Sequence, residues 1–417
     1  MNKIKTHTLG CKVNQYETEF VKEAFHQIGY IDANEHEIAD LVIVNTCTVT
    51  AQSDLKSRKA VRKLAKENPG AEVVVMGCLA TRDSLKLAEI PGVSEIITDK
   101  REINAFLKSR GVLTPPTGIS SFGERHRAFV KVQDGCVVGC AYCIIPKVRP
   151  YLSSRNQQEV LDEIQILSDK GFAEIVLTGI HLGHYGVDLV PKTTLADLVS
   201  NIVELIERKK LEIRIRISSL EAVETTGELV RLVRDNPTLI CPHFHLSMQS
   251  GSDAVLAKMK RRWMSGPFFE KCEEIKAEIA DVALTTDVIV GFPGETESQF
   301  IETSDMVRKI GFSKIHVFRF SAREGTEAAD MPGQIPFQIK RNRSMELARI
   351  ADEIRKEYAQ TLVGKTVQVL CEMKTSDGRL SGTADRYLTV TAPMDGGSVG
   401  RLCPVDLKNA IGEELFG

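Results

Sequence analysis

Residues 134–143 read Asp134-Gly135-Cys136-Val137-Val138-Gly139-Cys140-Ala141-Tyr142-Cys143, and this stretch places three cysteines within eight residues. It contains no histidine and no nearby fourth thiol, so a complete tetrahedral zinc site is not its natural interpretation. A four-iron cluster is normally held by four cysteines, and a loop with three would leave one iron open to another ligand. Half of a zinc knuckle, or a disulfide-linked loop of a secreted protein, stays open as an alternative for so short a motif.

Length and composition limit the class of protein. The 417 residues exceed what one hydrophobic core usually supports, so we expect two or three domains, and 42% apolar with 26% charged residues is ordinary for a globular chain. The net charge of -2 gives no overall basic excess, so any nucleic-acid contact must come from local patches. The sequence has no run of eighteen apolar residues and no signal-peptide pattern at its start. We therefore expect a cytoplasmic protein without membrane contact, in which ten cysteines favour metal or redox chemistry over disulfides.

The first hundred residues contain three short apolar runs, each of which ends at a cysteine. The runs are residues 4–10 before Cys11, 41–46 before Cys47 and 73–77 before Cys78. Helical patterns at 17–28 and 55–67 separate them, which predicts alternating strands and helices around a parallel sheet. Because parallel strands end at the same edge, the three cysteines should converge there as a second three-thiolate site. Each cysteine alone could equally be a small buried core residue.

The middle of the chain repeats the strand and helix alternation after a linker at 110–127 that is rich in proline, glycine and serine. Strands are predicted at 128–133, 174–178, 211–217, 243–248, 284–290 and 314–320, and helices at 158–170, 195–209 and 297–310. Six strand-helix units predict a parallel barrel or partial barrel, whose chemistry lies at the carboxyl ends of the strands. Polar and glycine-rich residues follow each strand; such residues are also ordinary turn chemistry, but six in order favour a binding site.

The hydrophobic pattern of the sequence changes from a helical to a strand period in the C-terminal segment. A helix is predicted at 341–361, followed by short β-strands at 366–372, 379–383 and 387–391 with turns at Asp377-Gly378 and Asp395-Gly396-Gly397. This pattern is typical of a small antiparallel β-barrel of the size of an oligonucleotide-binding module. The segment from Gly364 onward has six Lys or Arg and seven Asp or Glu, so its charge alone does not indicate nucleic acid.

Two basic stretches stand out elsewhere, residues 56–66 with six positive charges and residues 258–263, which read KMKRRW. Charged runs are usually solvated helix faces, and the second stretch could equally be the end of a helix. Both are candidate phosphate-binding patches, and Trp263 could stack on a base.

The motifs together resemble the methylthiotransferase family of radical S-adenosylmethionine enzymes across essentially the whole chain. The matching stretches are residues 8–17 (TLGCKVNQYE), 45–49 (NTCTV), Gly77-Cys78, the CxxxCxxC loop followed by Ile145-Pro146, 246–253 (LSMQSGSD), 287–296 (DVIVGFPGET) and 320–326 (FSAREGT). The first of these stretches, and the Val132-Gln133-Asp134-Gly135 lead into Cys136, look most like the branch that acts on N6-threonylcarbamoyladenosine in tRNA.

The resemblance implies two [4Fe-4S] clusters and S-adenosylmethionine. Cys136, Cys140 and Cys143 would hold the cluster that generates a radical, and Cys11, Cys47 and Cys78 an auxiliary cluster that carries the sulfur to be inserted. The expected S-adenosylmethionine-binding residues are Tyr142, Thr178, Gly179, Ser219, Glu221, Gln249 and Gly291. Beyond the cluster ligands no catalytic side chain is expected. The radical would abstract hydrogen from C2 of the modified adenosine at position 37 of tRNA, beside the anticodon.

The resemblance also implies an architecture and partners. The expected fold is α/β, with an N-terminal methylthiotransferase domain at 1–112, a partial (β/α)6 radical S-adenosylmethionine barrel at 124–355 and a TRAM-like β-barrel at 362–417. The expected partners are the tRNA anticodon stem-loop, an electron donor of flavodoxin or ferredoxin type, and a sulfur donor. Two alternatives keep the chemistry but change the substrate to N6-isopentenyladenosine of tRNA or to a ribosomal protein aspartate. A third is a non-catalytic iron-sulfur or zinc protein that binds RNA.

Overall fold

The computed structural model describes residues 1–123, 125–393, 397–412 and 414–417. Glu124, the first residue of the expected central domain, and Asp395-Gly396 of an expected turn lie outside the described residues. The domain limits 1–112, 124–355 and 362–417 stay predictions. Within the described ranges, none of the helices combines the length and apolar character that crossing a membrane requires.

The N-terminal region is a five-stranded parallel sheet between helices. Its elements are β1 (Lys3–Thr8), α1 (Lys12–Gln27), β2 (Ile31–Asp32), β3 (Leu41–Thr46), α2 (Ala51–Glu67), β4 (Glu72–Gly77), α3 (Cys78–Arg82), α4 (Ser84–Ala88), β5 (Val93–Ile96) and α5 (Ile103–Ser109). The strand order is β2-β1-β3-β4-β5. Strand β3 is buried at every residue, because Ile43 packs into one core with Phe25 and Phe106 while Val42 packs into another with Val61.

The central region is an open barrel. Its strands are β6 (Arg127–Asp134), β7 (Ser153–Ser154), β8 (Glu174–Gly179), β9 (Arg214–Ile217), β10 (His243–His245), β11 (Ala283–Val290) and β12 (Lys314–Arg319). Its helices are α6 (Ile145–Val148), α7 (Gln157–Asp169), α8 (Leu195–Lys209), α9 (Gly227–Asp235), α10 (Asp253–Lys258), α11 (Ser265–Glu278), α12 (Glu297–Ile310) and α13 (Glu327–Asp330).

Six parallel strands form this barrel in the order β6-β8-β9-β10-β11-β12, with β7 as an antiparallel strand beside β6. The two halves are joined by isolated bridges, such as that between Leu220 and Leu246, rather than by a continuous ladder. The regular parts of β9 and β10 are therefore shorter than the predicted strands 211–217 and 243–248. The barrel places the end of every strand on one side of the molecule.

The C-terminal region consists of a long helix and a six-stranded sheet. Its elements are α14 (Phe337–Thr361), β13 (Thr366–Lys374), β14 (Leu380–Ala384), β15 (Thr389–Ala392), β16 (Leu402–Asp406), β17 (Asn409–Ile411) and β18 (Glu414–Phe416). The sheet order is β16-β13-β14-β15-β18-β17, and all pairs except β15 with β18 are antiparallel. Three strands were predicted here and the last three were not. The predicted fold class, α/β with a parallel N-terminal sheet, a barrel and a C-terminal β-sheet unit, is confirmed.

Candidate active site

Three of the cysteines meet at the carboxyl edge of the N-terminal sheet. Cys11 lies between β1 and α1, Cys47 directly follows β3, and Cys78 is the first residue of α3. A Cβ atom on Gly10 would lie 3.1 Å from Cys47 Sγ, and Cys78 is close enough to raise the pKa of both other thiols. Gly77 has a φ of 96°, a conformation that glycine adopts without strain and that turns the chain into Cys78. The edge therefore presents three thiols to one space.

The second group of three cysteines follows β6. Cys136, Cys140 and Cys143 lie on the loop between β6 and α6, and Cys136 and Cys140 both raise the pKa of Cys143. Cys136 Sγ lies 3.3 Å from His181 Nδ1, and Arg261 Nη1 donates to Cys140 Sγ at 3.2 Å. The loop thus gathers its thiols at the open end of the barrel.

The chemistry of these thiols suits metal ligands. Burial raises the pKa of Cys143 to about 12, whereas Cys11 is exposed at the edge of the N-terminal sheet. A thiol with such a pKa keeps its proton at neutral pH unless a metal displaces it, and three thiols with no fourth ligand in the same loop fit a four-iron cluster with one open iron. The donor atoms of both groups of cysteines therefore fit such a cluster.

A short helix separates the two groups. Cys78 packs against Ile144, which directly follows Cys143 in the chain, and against Val148 of α6. The side chain of Arg149 donates from Nε to Cys78 Sγ at 3.4 Å, and its carbonyl accepts the amide of Cys136 at 3.0 Å. The N-terminal thiols and the barrel thiols are consequently neighbours on two sides of α6.

Arg149 is held by a buried ionic cluster. Its guanidinium contacts both Glu17 and Asp134 at 2.8 Å, and Lys131 contacts the same two carboxylates. Burial would raise the pKa of Glu17, but Arg149 and Lys131 outweigh burial and lower it to about 2. Both carboxylates are therefore ionised, and they fix the arginine beside Cys78. No local sequence signal pointed to this cluster.

A second arginine organises the barrel opening. Arg261 donates to the Glu221 carboxylate at 2.8 and 2.9 Å and to Tyr142 Oη at 3.1 Å, in addition to Cys140. The structure thereby joins two of the expected cofactor residues, Tyr142 and Glu221, beside a cysteine. Burial raises the pKa of Glu221, with Arg261 opposing the rise. The basic stretch at 258–263 marked this arginine as a surface charge, whereas it is buried.

Trp263 does not form the base-stacking surface that its sequence context suggested. It is only 4% exposed, stacks on Phe268 and lies 4.0 Å below the guanidinium of Arg261. The aromatic ring supports the arginine through a cation–π contact instead of facing a nucleic acid.

His181 follows β8, and no role was predicted for it from the sequence. Its Nε2 contacts Glu224 at 2.8 Å, on the opposite side of the ring from Cys136, and Arg262 also pairs with Glu224. Burial would lower the pKa of His181, but the hydrogen bonds to Cys136 and Glu224 outweigh it and raise the pKa to about 9. The ring is held beside the cysteine loop.

The remaining expected cofactor residues are distributed along the same barrel edge. Thr178 is buried and Gly179 packs on Gln133 at the end of β6, while Ser219 is exposed after β9. Gln249 has a φ of 69° and its backbone is hydrogen-bonded to β11. Gly291 has a φ of 73° and packs against Lys340.

Comparison with known proteins places this arrangement in a family. Residues 3–99 match the uncharacterized protein family UPF0004, and residues 130–307 match the radical SAM superfamily. The chain is 36% identical to the threonylcarbamoyladenosine tRNA methylthiotransferase MtaB of Bacillus subtilis over 98% of this chain and 94% of that protein. It is 34% identical to the protein of the same name from Thermotoga maritima, over 100% of this chain and 96% of the relative.

A second branch of relatives also matches. A tRNA-2-methylthio-N(6)-dimethylallyladenosine synthase of Desulfitobacterium hafniense is 31% identical over 100% of this chain and 97% of that protein. Among solved structures, the radical S-adenosylmethionine methyltransferase TsrM of Kitasatospora setae matches with a TM-score of 0.58 and 13% identity, over 96% of this chain and 84% of that chain, which shows a shared fold. With near-complete coverage at more than 30% identity, the chain belongs to the tRNA methylthiotransferase family of radical S-adenosylmethionine enzymes.

Proposed function

We propose that this protein inserts a methylthio group at C2 of N6-threonylcarbamoyladenosine at position 37 of tRNA. The observation that carries the proposal is the placement of the two three-thiol groups on either side of α6, linked by Arg149. One centre that makes a radical and another that delivers sulfur must both reach the same carbon atom, and two neighbouring centres satisfy that need.

The cysteines divide into two ligand sets. Cys136, Cys140 and Cys143 would hold one [4Fe-4S] cluster, and Cys11, Cys47 and Cys78 would hold the other. When bound, the first supplies one-electron cleavage of S-adenosylmethionine to a 5'-deoxyadenosyl radical, and the second supplies the sulfur that is methylated and transferred. A C–H bond on an aromatic carbon is too weakly acidic for a side-chain base, so cofactor chemistry is the plausible route.

The protein's own residues bind and orient the reactants. Glu221 and Tyr142, both fixed by Arg261, form the polar wall beside Cys140, where the amino-acid part of S-adenosylmethionine binds. Gly179, Gln249 and Gly291 at the strand ends, with Thr178 and Ser219, receive its adenosine part. Because Arg261 neutralises Glu221, this wall offers hydrogen bonds without an uncompensated buried charge.

Contacts from the barrel hold the loop that follows Cys47. Arg323, which follows β12, donates to Thr48 Oγ1 at 2.9 Å and to Asp54 Oδ2 at 2.6 Å, and Arg82 pairs with the same aspartate. These buried bonds attach the Cys47 loop to the mouth of the barrel. They keep the sulfur-bearing side within reach of the radical side.

The substrate branch rests on the relatives. The MtaB proteins of Bacillus subtilis and Thermotoga maritima share more identity with this chain than the dimethylallyladenosine synthase does. The N6-isopentenyl branch is the second candidate, because that synthase also matches over the whole chain. The anticodon stem-loop of tRNA, an electron donor of flavodoxin or ferredoxin type and a sulfur donor are the partners, in the cytoplasm. The residue limits expected for the three domains, including the TRAM-like barrel, belong to the same proposal.

Mass spectrometry of nucleosides from bulk tRNA tests this function in cells with and without the gene. Loss of the 2-methylthio derivative of threonylcarbamoyladenosine, with accumulation of its unthiolated precursor, is the expected result. Complementation with the wild-type gene should restore the nucleoside, and complementation with Cys140→Ala should not. If this nucleoside persists and the isopentenyl derivative or a ribosomal-protein modification is lost instead, the enzyme performs the same chemistry on that other substrate.

A further inference from the structure

The inner wall of the barrel carries a polar cluster that the cofactor sites do not use. His245, Asp287 and His316 lie on β10, β11 and β12, and their ligand atoms are within 4.8 Å of one another. Residues that alternate with them, such as Val288 and Ile315, belong to the core beneath the outer helices. Because neighbouring side chains of a strand face opposite sides, the three polar side chains face the barrel interior. We call them the inner-wall cluster.

The cluster is open to a space rather than packed shut. The side chains of His245 and Asp287 are 12% and 29% exposed, and their charged atoms lie 3.3 Å apart. His245 Nδ1 contacts Thr285 Oγ1 at 2.9 Å, so that ring is held from two sides. Asp287 therefore has a partner in His245, whereas His316 is half-buried beside them with its ring 5.8 Å from that of His245.

Lys12 enters the same space from the N-terminal region. It directly follows Cys11, its ammonium lies 5.9 Å from the centre of the Phe129 ring on β6, and it is near enough to influence the pKa values of Asp287 and His316. Among the residues that the structure describes, no carboxylate forms an ion pair with it within 4.0 Å. A half-buried ammonium with no direct ion pair favours an incoming anion.

The positive charge of the surrounding wall also favours an anion. Lys314 lies below the cluster, 5.3 Å from the Tyr387 ring, which stacks on His243. A divalent metal ion would suit the spacing of two histidines and an aspartate, but the Lys12 ammonium beside them repels a cation. Burial, opposed by Asp287, lowers the pKa of His316, so its ring is neutral at pH 7 and can donate a hydrogen bond.

We propose that Lys12 and His316 bind the carboxylate of the threonyl group on the substrate adenosine, and that this contact selects an amino-acid-bearing nucleoside over an alkylated one. The proposal rests on the proposed function and deepens it. Lys12 supplies the charge, His316 supplies a hydrogen bond, and the pair formed by His245 and Asp287 closes the wall behind them. An isopentenyl group has no anion, so it would leave the Lys12 ammonium desolvated and unpaired.

Two synthetic anticodon stem-loops test the contact with the cluster-loaded enzyme. One carries N6-threonylcarbamoyladenosine, and in the other the threonine carboxylate is replaced by a carboxamide. Equilibrium Kd values from fluorescence anisotropy and kcat/KM values from mass spectrometry are compared for wild type, Lys12→Gln and His316→Gln. Lys86→Gln, which removes a lysine 64% exposed on the same N-terminal region, is the matched control. Iron content is measured for each variant, since Lys12 is next to Cys11.

Wild type and the Lys86→Gln control should prefer the carboxylate RNA by about 10- to 100-fold in both measurements. Lys12→Gln should reduce that preference to below about 3-fold, chiefly by weakening the carboxylate RNA, and His316→Gln should give an intermediate value. An unchanged preference in both variants would overturn this inference alone. The same holds if the wild-type enzyme modifies the first RNA but shows no preference between the two RNAs. If wild type modifies neither RNA, the proposed function fails together with it.

Discussion

At the residue scale, the site depends on a few charged side chains whose partners come from distant parts of the chain. Arg149 contacts Glu17, 132 positions earlier in the sequence, and Arg261 contacts Cys140, 121 positions earlier. Each arginine is buried, so its charge is tolerated only because carboxylates face it. These contacts fix the positions of the segments that bear the two groups of thiols.

Removal of the Glu17 charge should unfold the junction between the N-terminal sheet and the barrel. Glu17→Gln leaves Arg149 and Lys131 with Asp134 alone, so we expect a loss of about 3–5 kcal/mol in the free energy of unfolding. Chemical denaturation of the anaerobic, cluster-loaded protein measures it. Glu67→Gln, at an exposed pair 3.8 Å from Lys63, is the control and should cost less than about 1 kcal/mol. Equal stability of the two variants would show that the buried cluster does not support the junction.

Sequence patterns predicted which thiols gather but not what holds them. The spacing within 134–143 and the cysteine at the end of each N-terminal strand are local features, so they could be read directly. Arg149 and Arg261 look like ordinary surface charges in sequence, because only packing determines that an arginine is buried. Trp263 was misplaced for the same reason.

At the element scale, the boundary between a strand and the next helix positions each cysteine. Helix α1 begins at Lys12, five residues before the predicted start, because Asn14 and Tyr16 are buried against other parts of the protein and interrupt the apolar period. The early start places Cys11 as the residue before the helix. Strand β4 passes into α3 through Gly77, and the helix then begins at Cys78 itself.

Gly77→Ala should release the auxiliary site selectively. At a φ of 96° the new methyl group would be strained and would overlap Asn45 and the backbone of Thr46, so the turn that carries Cys78 must move. We expect the iron content to fall by about half, with the barrel site retained. Gly70→Ala is a matched control, since its φ is 84° and nothing lies within 4 Å of the added carbon. Iron analysis of both variants decides the matter, and full iron content in Gly77→Ala would contradict the expected role of the turn.

At the scale of the whole molecule, the C-terminal sheet closes the end of the barrel opposite the cysteines. Arg214 and Arg216 pair with Glu174, which is fully buried, and extend to carbonyls of the C-terminal region such as Thr383 and Ala384 at 3.0 Å. Burial would raise the pKa of Glu174, but Arg216, Arg214 and Arg127 lower it well below its ordinary value. One carboxylate thus orients the arginines that hold the two parts together.

Glu174→Gln should loosen this attachment. The variant leaves a group of buried arginines without their acid, which we expect to cost about 3–5 kcal/mol and to speed amide hydrogen exchange in β13 and β14. The exposed pair of Arg401 and Glu212, 3.1 Å apart, also joins the two regions, so Arg401→Gln is the control, with an expected cost below about 1 kcal/mol. Hydrogen exchange is measured by mass spectrometry. Equal exchange rates of β13 and β14 in the two variants would contradict the role of Glu174.

The order of parallel sheet, barrel and C-terminal β-strands was predictable because hydrophobic periodicity and turn residues are features of short stretches of sequence. The way these parts meet was not, since Glu174 and its arginines look like alternating charges on strands. The inner-wall cluster was not predicted, because Asp287 and His316 join His245 only through the lateral register of β10, β11 and β12. Lys12 reaches the cluster only because α1 packs beside β6.

The central claim is that one chain holds two four-iron clusters, one on each group of three cysteines. Iron and sulfide analysis with Mössbauer spectroscopy of the anaerobically reconstituted protein tests it most directly. Wild type should contain about eight irons per chain, and the triple variants Cys11→Ala/Cys47→Ala/Cys78→Ala and Cys136→Ala/Cys140→Ala/Cys143→Ala should each contain about four, all in [4Fe-4S] form. Wild type with only four irons, or either triple variant with eight, would contradict the account.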